Sequence, residues 1–366
     1  MKTPANSLLA AALFVTAPLA ADDHTHEHAH EIVESHSPDT RGPNISANLE
    51  HNSIDPDVHT STISGGGYKG VGQHIGDASI DPSYQSGQAS IATISGGYDN
   101  VNNQLAGTIA GGAHHVLFSG GDHGTIGGGS WNSILSGGYA VIAGGGGGSD
   151  PQSVAGDRST ISGGGGNHIE GRFNVIAGGY RNIIDGTAAG IGAGRDNFVD
   201  ASFSYAVGER NHVEAQAVGS FTFGRDVRTG VPGSFSFSAR GHAGQVVILN
   251  LNQTTFGESS VIMLAQGNWT TPIVPDNAVW MGESQLVVAE PGSKLTTAYK
   301  MTFVVSRQEI KHVEFTRVYD ELGMGPVPAV LQIGNLGRLE MIVTGQAART
   351  LNWNAAVTVS QVNLDY

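Results

Sequence analysis

Residues 159–225 read STISGGGGNHIEGRFNVIAGGYRNIIDGTAAGIGAGRDNFVDASFSYAVGERNHVEAQAVGSFTFGR, and one unit recurs through them. Thr160-Ile161-Ser162-Gly163-Gly164 returns as Val175-Ile176-Ala177-Gly178-Gly179. Ile161 to Ile176 and Ile176 to Ile191 are steps of 15 residues, and Ile191 to Tyr205 is a step of 14. Between these anchors lies a second half-unit, Asn167-His168-Ile169-Glu170-Gly171, repeated at Asn182–Gly186, Asn197–Ala201 and Asn211–Ala215. Each period therefore holds two short strands that end in a small residue. A strand of about five residues spans only ~17 Å, so two strands and two corners fill one period. Periods stacked ~4.8 Å apart would pair in parallel sheets. One Ile or Val per strand points inward, Gly-Gly supplies the positive φ of a tight corner, and Asn tolerates that conformation and can ladder along the stack.

Further copies of the unit lie upstream, at Thr62–Gly66, Thr93–Gly97 and Thr108–Gly112. Across 113–158 the copies crowd to spacings of 7–9 residues and Gly144–Gly148 form a run, which predicts an irregular excursion there. Most of the 54 glycines fall between 61 and 230, a span with only Pro82 and Pro151 for prolines. That composition excludes collagen, and the recurring branched residues exclude a flexible linker. One thin coil buries few apolar side chains, so threefold packing of chains would complete the core.

These units resemble the head repeats of trimeric autotransporter adhesins, the YadA-like head, over about residues 60–230. The resemblance implies a homotrimer built on a left-handed parallel β-roll. The expected fold is all-β: this solenoid over 61–230, followed by a C-terminal β-sandwich over 231–366.

After Gly230 glycine thins out, and Gln245–Leu251, Leu286–Ala289, Tyr299–Ser306, Lys311–Tyr319, Leu339–Thr344 and Ala355–Val362 read as strands, several with alternating polarity. Trp280 and Trp353, among apolar neighbours, read as core. The stretches Trp280…Leu286-Val287-Val288-Ala289, Tyr299–Phe303 and Val343-Thr344-Gly345…Leu351-Asn352-Trp353 resemble the C-terminal β-domain of phage and prophage tail fibres. That resemblance implies a distal knob rather than a reaction.

Residues 1–21, with Lys2 before an apolar run from Leu8 to Leu19 and a small-residue site, form a secretory signal pattern too short to span a bilayer. An alternative is an apolar arm docked into a larger particle. Residues 22–60 read as a His-rich polar linker. His24, His26, His28 and His30 alternate, so on a strand they share one face. They read either as a solvated tail or as a divalent-metal site on a trimer axis. No other cofactor is expected.

The net charge of −14 argues against nucleic acid as a partner, and no stretch is suited to membrane insertion. The absence of cysteine removes disulfides, thiolate metal sites and cysteine nucleophiles. No nucleotide loop, His-Glu-x-x-His or nucleophile elbow is present. Glu170, Asp185, Asp200 and Glu214, at steps of 15, 15 and 14, would align as a ladder. The ladder reads as a solvated polar row, a divalent-ion site, or a glycosidase pair. Trp131 and Trp269 read as core packing or as exposed platforms for sugar rings. His114 and His115 read as surface.

Together these features predict a non-enzymatic, adhesive fibre: a phage tail fibre or receptor-binding protein attaching to a cell-surface glycan or protein. Two alternatives stand beside it, a secreted bacterial adhesin and a polysaccharide-degrading tailspike. Its place would be extracellular, on a virion or a cell surface.

Overall fold

The computed structural model describes residues 32–35, 44–47 and 51–363, apart from 68–70, 84, 86–87, 239–244, 266–273, 275, 277, 294 and 325–328. The signal-like segment 1–21, the four alternating histidines His24, His26, His28 and His30, and Trp269 lie outside the described residues. No helix among the described residues is long and apolar enough to cross a membrane.

The chain forms a parallel β-solenoid of about twelve turns. Each coil gives one short strand to a first face and one to a second; most are two residues long, and first-face strands lengthen to six, five, five and four residues from Gly190 onward. On the first face Thr93-Ile94 pairs with Thr108-Ile109, then in order with the strands at Thr125, Val141, Thr160, Val175 and Gly190. On the second face Val116-Leu117 pairs with Ser133-Ile134, then with the strands at Ser153, His168, Ile183, Phe198 and His212. Ile94, Ile109, Ile126, Ile142, Ile161 and Ile176 turn inward from the first face, and Leu117, Ile134, Val154, Ile169, Ile184 and Val199 from the second, all with no exposed surface. Tyr205 points outward and its neighbour Ala206 fills the inward position, so the anchor column runs one residue beyond the sequence reading.

Two expectations need correction. The stretch 113–158 is not an excursion: it holds ordinary coils of unequal length, with first-face strands at Thr108, Thr125, Val141 and Thr160. Its 7–9-residue spacings are half-coils, because successive copies fall alternately on the two faces. The true excursion is residues 76–92, between the second-face strand His74–Ile75 and the first-face strand Thr93–Ile94. Coils also occupy part of the expected linker, since Ile45 pairs with Thr62 and Ser53 with His74. At Asn44–Ala47 the inward residues are Asn44 and Ser46, so Ile54 alone leaves no apolar period to announce these coils.

The corners use more than glycine. Two residues before most strands the backbone turns left-handed, and at many coils a non-glycine residue does it: His123, Tyr139, Arg158 and Phe173 at one corner, His114, Trp131, Arg181, Asp196 and Arg210 at the other. Such a conformation costs on the order of 1–3 kcal/mol unless its surroundings enforce it. Here each corner N–H donates to the coil before, as Tyr139 N to Asp122 O (2.8 Å) and Phe173 N to Asp157 O (2.9 Å). The second glycine of the Gly-Gly pairs beside the first face is required by stacking, since a Cβ on Gly97 or Gly164 would lie 1.9 Å from a carbonyl oxygen of the next coil.

A column of buried amides runs inside the solenoid next to the second face. Asn182 donates its backbone N and Nδ2 to Asn167 Oδ1, both at 3.1 Å, and Asn197 repeats this toward Asn182. Gln73, Gln152 and His115 stand in the same column. His115, expected at the surface, has no exposed surface, because the residue after a left-handed corner points inward.

After Phe235–Ser238 the first-face sheet continues antiparallel into Gln245–Phe256, and from there through Thr350–Asn363, Ala278–Ala289, Thr296–Ser306 and Ile310–Asp320. A three-stranded sheet of Ser260–Ile262, Leu339–Thr344 and Ala329–Ile333 packs across it. Leu251, Met301, Phe303 and Val357 from the large sheet face Leu331, Leu339 and Met341 from the small one around a void of about 10 Å³. Trp280 and Trp353 are core, as expected. Their indole N–H groups donate to Gln361 Oε1 and Thr255 Oγ1, both at 2.9 Å.

Candidate functional site

A concavity of the solenoid lies at the corner that leads into the first-face strands. It is an open groove of about 310 Å³ lined by Ser119, Gly120, Gly121, Asp122, Ser136, Gly138 and Asp157. A second lobe of about 330 Å³ shares Ser119 and Gly121 and adds Gln88, Asn103 and Leu105. Gln88, from the 76–92 excursion, forms one side of it. That excursion is pinned by Asp81, which accepts the Ser119 N–H at 2.7 Å and the Ser83 hydroxyl at 2.6 Å. Burial pushes the Asp81 carboxyl up, but the backbone of Ser119 and the hydroxyl of Ser83 outweigh it and bring the pKa down to about 2. Asp81 therefore stays a charged acceptor for these two groups across the ordinary pH range.

Two carboxylates face each other across Gly138. Asp122 Oδ1 and Asp157 Oδ1 lie 2.9 and 3.9 Å from the point a Cβ on Gly138 would occupy. The two oxygens are thus separated by no more than about 7 Å, which does not exceed the spacing that glycosidic carboxyl pairs use. Gly138 N donates to Asp157 Oδ1 at 3.1 Å, and Arg172 Nε sits 3.3 Å from Asp157 Oδ2. His123 Nδ1 lies 3.5 Å from Asp122 Oδ2. A side chain at Gly138 would fall between the carboxylates, so the glycine keeps their shared space open.

Beside this pair runs a stack of corner side chains. His123 and Tyr139 stack with ring centroids 4.6 Å apart, and the Arg158 guanidinium lies over both Tyr139 (5.7 Å) and Phe173 (5.5 Å). Tyr139 and Phe173 are half exposed. Three residues of the stack follow a groove residue directly: His123 follows Asp122, Tyr139 follows Gly138, and Arg158 follows Asp157. The left-handed corner is what aims one residue into the groove and the next onto its flank. An aromatic flank beside polar walls suits a ligand with apolar ring faces and hydroxyl edges.

The residues singled out from sequence lie elsewhere. Trp131 is exposed on the opposite corner, stacked on His114 at 4.2 Å, and His114 Nδ1 meets Asp99 Oδ2 at 2.5 Å. Glu170, Asp185 and Asp200 do align on the second face: burial raises the Asp185 pKa, and the charges of Glu170 and Asp200 raise it further. The row ends in charge partners, with His168 Nε2 3.3 Å from Glu170 and Arg228 paired to Glu214. No group of three or more metal-capable side chains is present among the described residues. Asp122, Asp157 and the corner stack were missed because their coils are unequal in length. The available signal was the residue two places before each strand.

No family model matches the chain, and no curated protein matches it. Among solved structures it is similar to the tailspike protein gp49 of Acinetobacter baumannii bacteriophage Fri1, a capsular polysaccharide depolymerase, at 7% identity and a TM-score of 0.22, covering 86% of this chain and 68% of that one. It is also similar to the tailspike of Acinetobacter baumannii phage AM24, at 10% identity and a TM-score of 0.21, covering 86% and 69%. A third, the tailspike of Acinetobacter phage vB_ApiP_P1, matches at 7% identity and a TM-score of 0.20, covering 88% and 81%. The expectation that the chain is no enzyme is corrected at this point, because the matched tailspikes include a depolymerase. At these TM-scores the likeness transfers no activity, substrate or site to this chain.

Proposed function

We propose that the chain is a tailspike-like fibre protein, carried outside the cell on a virion, that binds cell-surface polysaccharide in the groove and hydrolyses it there. The observation that carries this is the Asp122–Asp157 pair held open across Gly138 and flanked by the His123–Tyr139–Arg158–Phe173 stack. The stack supports the sugar rings, and the Gly120, Gly121 and Gly138 walls offer backbone groups to their hydroxyls. One carboxyl donates a proton to the leaving glycosidic oxygen as the C–O bond breaks. The other carboxylate takes a proton from the water whose oxygen bonds to the anomeric carbon, or attacks that carbon itself before water releases the sugar.

The test is release of reducing ends from a panel of purified bacterial capsular polysaccharides. Asp122→Asn and Asp157→Asn are each expected to cut turnover on the order of 100-fold or more with binding retained. Tyr139→Ala is expected to weaken binding. A wild-type chain that binds none of the polysaccharides overturns the glycan assignment. One that binds but releases no reducing ends overturns the hydrolytic one.

A further inference from the structure

Among the described residues of the solenoid, every arginine but one sits on a carboxylate. Arg172 pairs with Asp157, Arg181 with Asp150, Arg195 and Arg225 with Glu209, Arg210 with Asp226, and Arg228 with Glu214. The exception is Arg158. Its guanidinium lies over the rings of Tyr139 and Phe173 and makes no ion pair and no side-chain hydrogen bond within the described residues. The chain has 32 Asp and Glu against 18 Lys and Arg, so an arginine left without a carboxylate does not reflect a shortage of them. Its sequence neighbour Asp157 is already engaged: Oδ1 accepts the Gly138 N–H, and Oδ2 faces Arg172.

The opposite corner shows what such an arginine takes when the chain supplies it. There Arg181 lies over Tyr180 at 4.8 Å, and one carboxylate serves both. Asp150 Oδ1 accepts from the Tyr180 hydroxyl at 2.6 Å and from Arg181 Nη2 at 3.3 Å. The groove corner presents the same two groups, Tyr139 and Arg158, drawn from successive coils. Both are exposed, and the Tyr139 hydroxyl, like the Arg158 guanidinium, has no acceptor among the described residues. Ring contacts occupy the faces of the guanidinium and leave its N–H edge, which fits a carboxylate through two parallel hydrogen bonds.

We propose that Arg158, with the Tyr139 hydroxyl beside it, binds the carboxylate of an acidic sugar, so that the polymer taken by the groove is a polyanion with carboxyl-bearing residues such as uronic acids. This rests on the glycan-cleaving reading of the groove and narrows it to one substrate class. The position of Arg158 agrees with that role. Its backbone N–H donates to Gly138 O at 2.8 Å, so its side chain leaves the coil beside the Asp122–Asp157 pair. Arg172 on Asp157 offsets part of the negative charge that an anionic sugar meets there. Arg158 is a specificity residue and not one of the reacting groups.

The test compares uronate-containing capsular polysaccharides with the same polymers after carbodiimide activation and borohydride reduction. That treatment turns each carboxylate into a neutral primary alcohol and leaves the backbone in place. The full wild-type chain is expected to bind and cleave the native polymer about tenfold or more better than the reduced one, the scale of a lost charge-assisted hydrogen bond. Arg158→Gln is expected to bring that ratio close to one, and Arg158→Lys to restore part of it. A chain that cleaves both forms equally, or binds only neutral or phosphate-bearing polymers, overturns this proposal and leaves the hydrolytic reading standing. So does an Arg158→Gln variant that loses activity on both forms by the same factor, since that marks a loosened stack and not a lost contact. A wild-type chain that binds no polysaccharide at all overturns the glycan assignment and this proposal with it.

Discussion

The solenoid and the sheets that follow it bury their interiors by opposite routes. In the solenoid most strands contribute one inward Ile, Leu or Val, stacked on its like, and buried Asn side chains fill the space beside them. In the C-terminal unit the core mixes Trp280, Trp353, Tyr299, Phe303 and several methionines. Its central pairing joins Gln245–Phe256 to Thr350–Asn363, far apart in the chain. Repetition spreads stability over nearest-neighbour contacts. A non-local sheet gains its contacts together or not at all.

The largest expected effect separates the two units. Trp353→Ala should cost the C-terminal unit about 3–5 kcal/mol, through the cavity it leaves and the loss of a partner for Thr255 Oγ1. Calorimetry should show that transition falling while the solenoid transition holds. A joint fall would show that the shared sheet at Phe235–Ser238 makes one cooperative unit of both.

A smaller effect tests the amide column. Asn182→Ala removes the acceptor for Asn197 and leaves buried backbone groups unpaired, which should cost ~1–3 kcal/mol in denaturant unfolding. A cost near zero would mean that the Ile columns alone hold the coils in register.

The smallest effect is pH-dependent. His115 replaces Asn in the column: its N–H donates to Asn100 Oδ1 at 3.0 Å and its Nδ1 accepts the Asn132 N–H at 3.2 Å. Burial lowers its pKa, so the folded chain keeps the ring neutral while the unfolded chain takes up the proton first. This stabilising contribution is complete above the unfolded value near 6.5 and is lost as pH falls from there toward the lowered folded value. His115→Asn should restore an amide rung and flatten that part of the melting temperature against pH. An unchanged profile would assign the acid sensitivity to His212, whose pKa burial, helped by Arg228, also lowers.

The equal coils after Ser159 were legible because one inward Ile per half-coil is a chemical period. Trp280 and Trp353 were legible as core from their apolar neighbours. The corners were not. What selects a left-handed residue here is a hydrogen bond from its own N–H to the previous coil, which constrains the backbone and leaves the side chain free. His123, Tyr139, Arg158 and Phe173 therefore share a conformation without sharing chemistry. The groove was hidden for a related reason: Asp122 and Asp157 come together across coils of unequal length, so no fixed spacing joins them. His115 was misread as surface because strand alternation was applied where a corner intervenes.

The corner bonds also bear on how such a chain can change between generations. Each coil is locked only to its neighbours, through the same few backbone contacts, and extra residues can be taken up between strands as the 76–92 excursion does. A gene duplication of one repeat would therefore insert a coil and lengthen the shaft by a fixed increment of ~4.8 Å, leaving the terminal sheets unaltered. Length becomes heritable in whole steps, and the distance between the groove and the distal end can drift independently of what either one recognises.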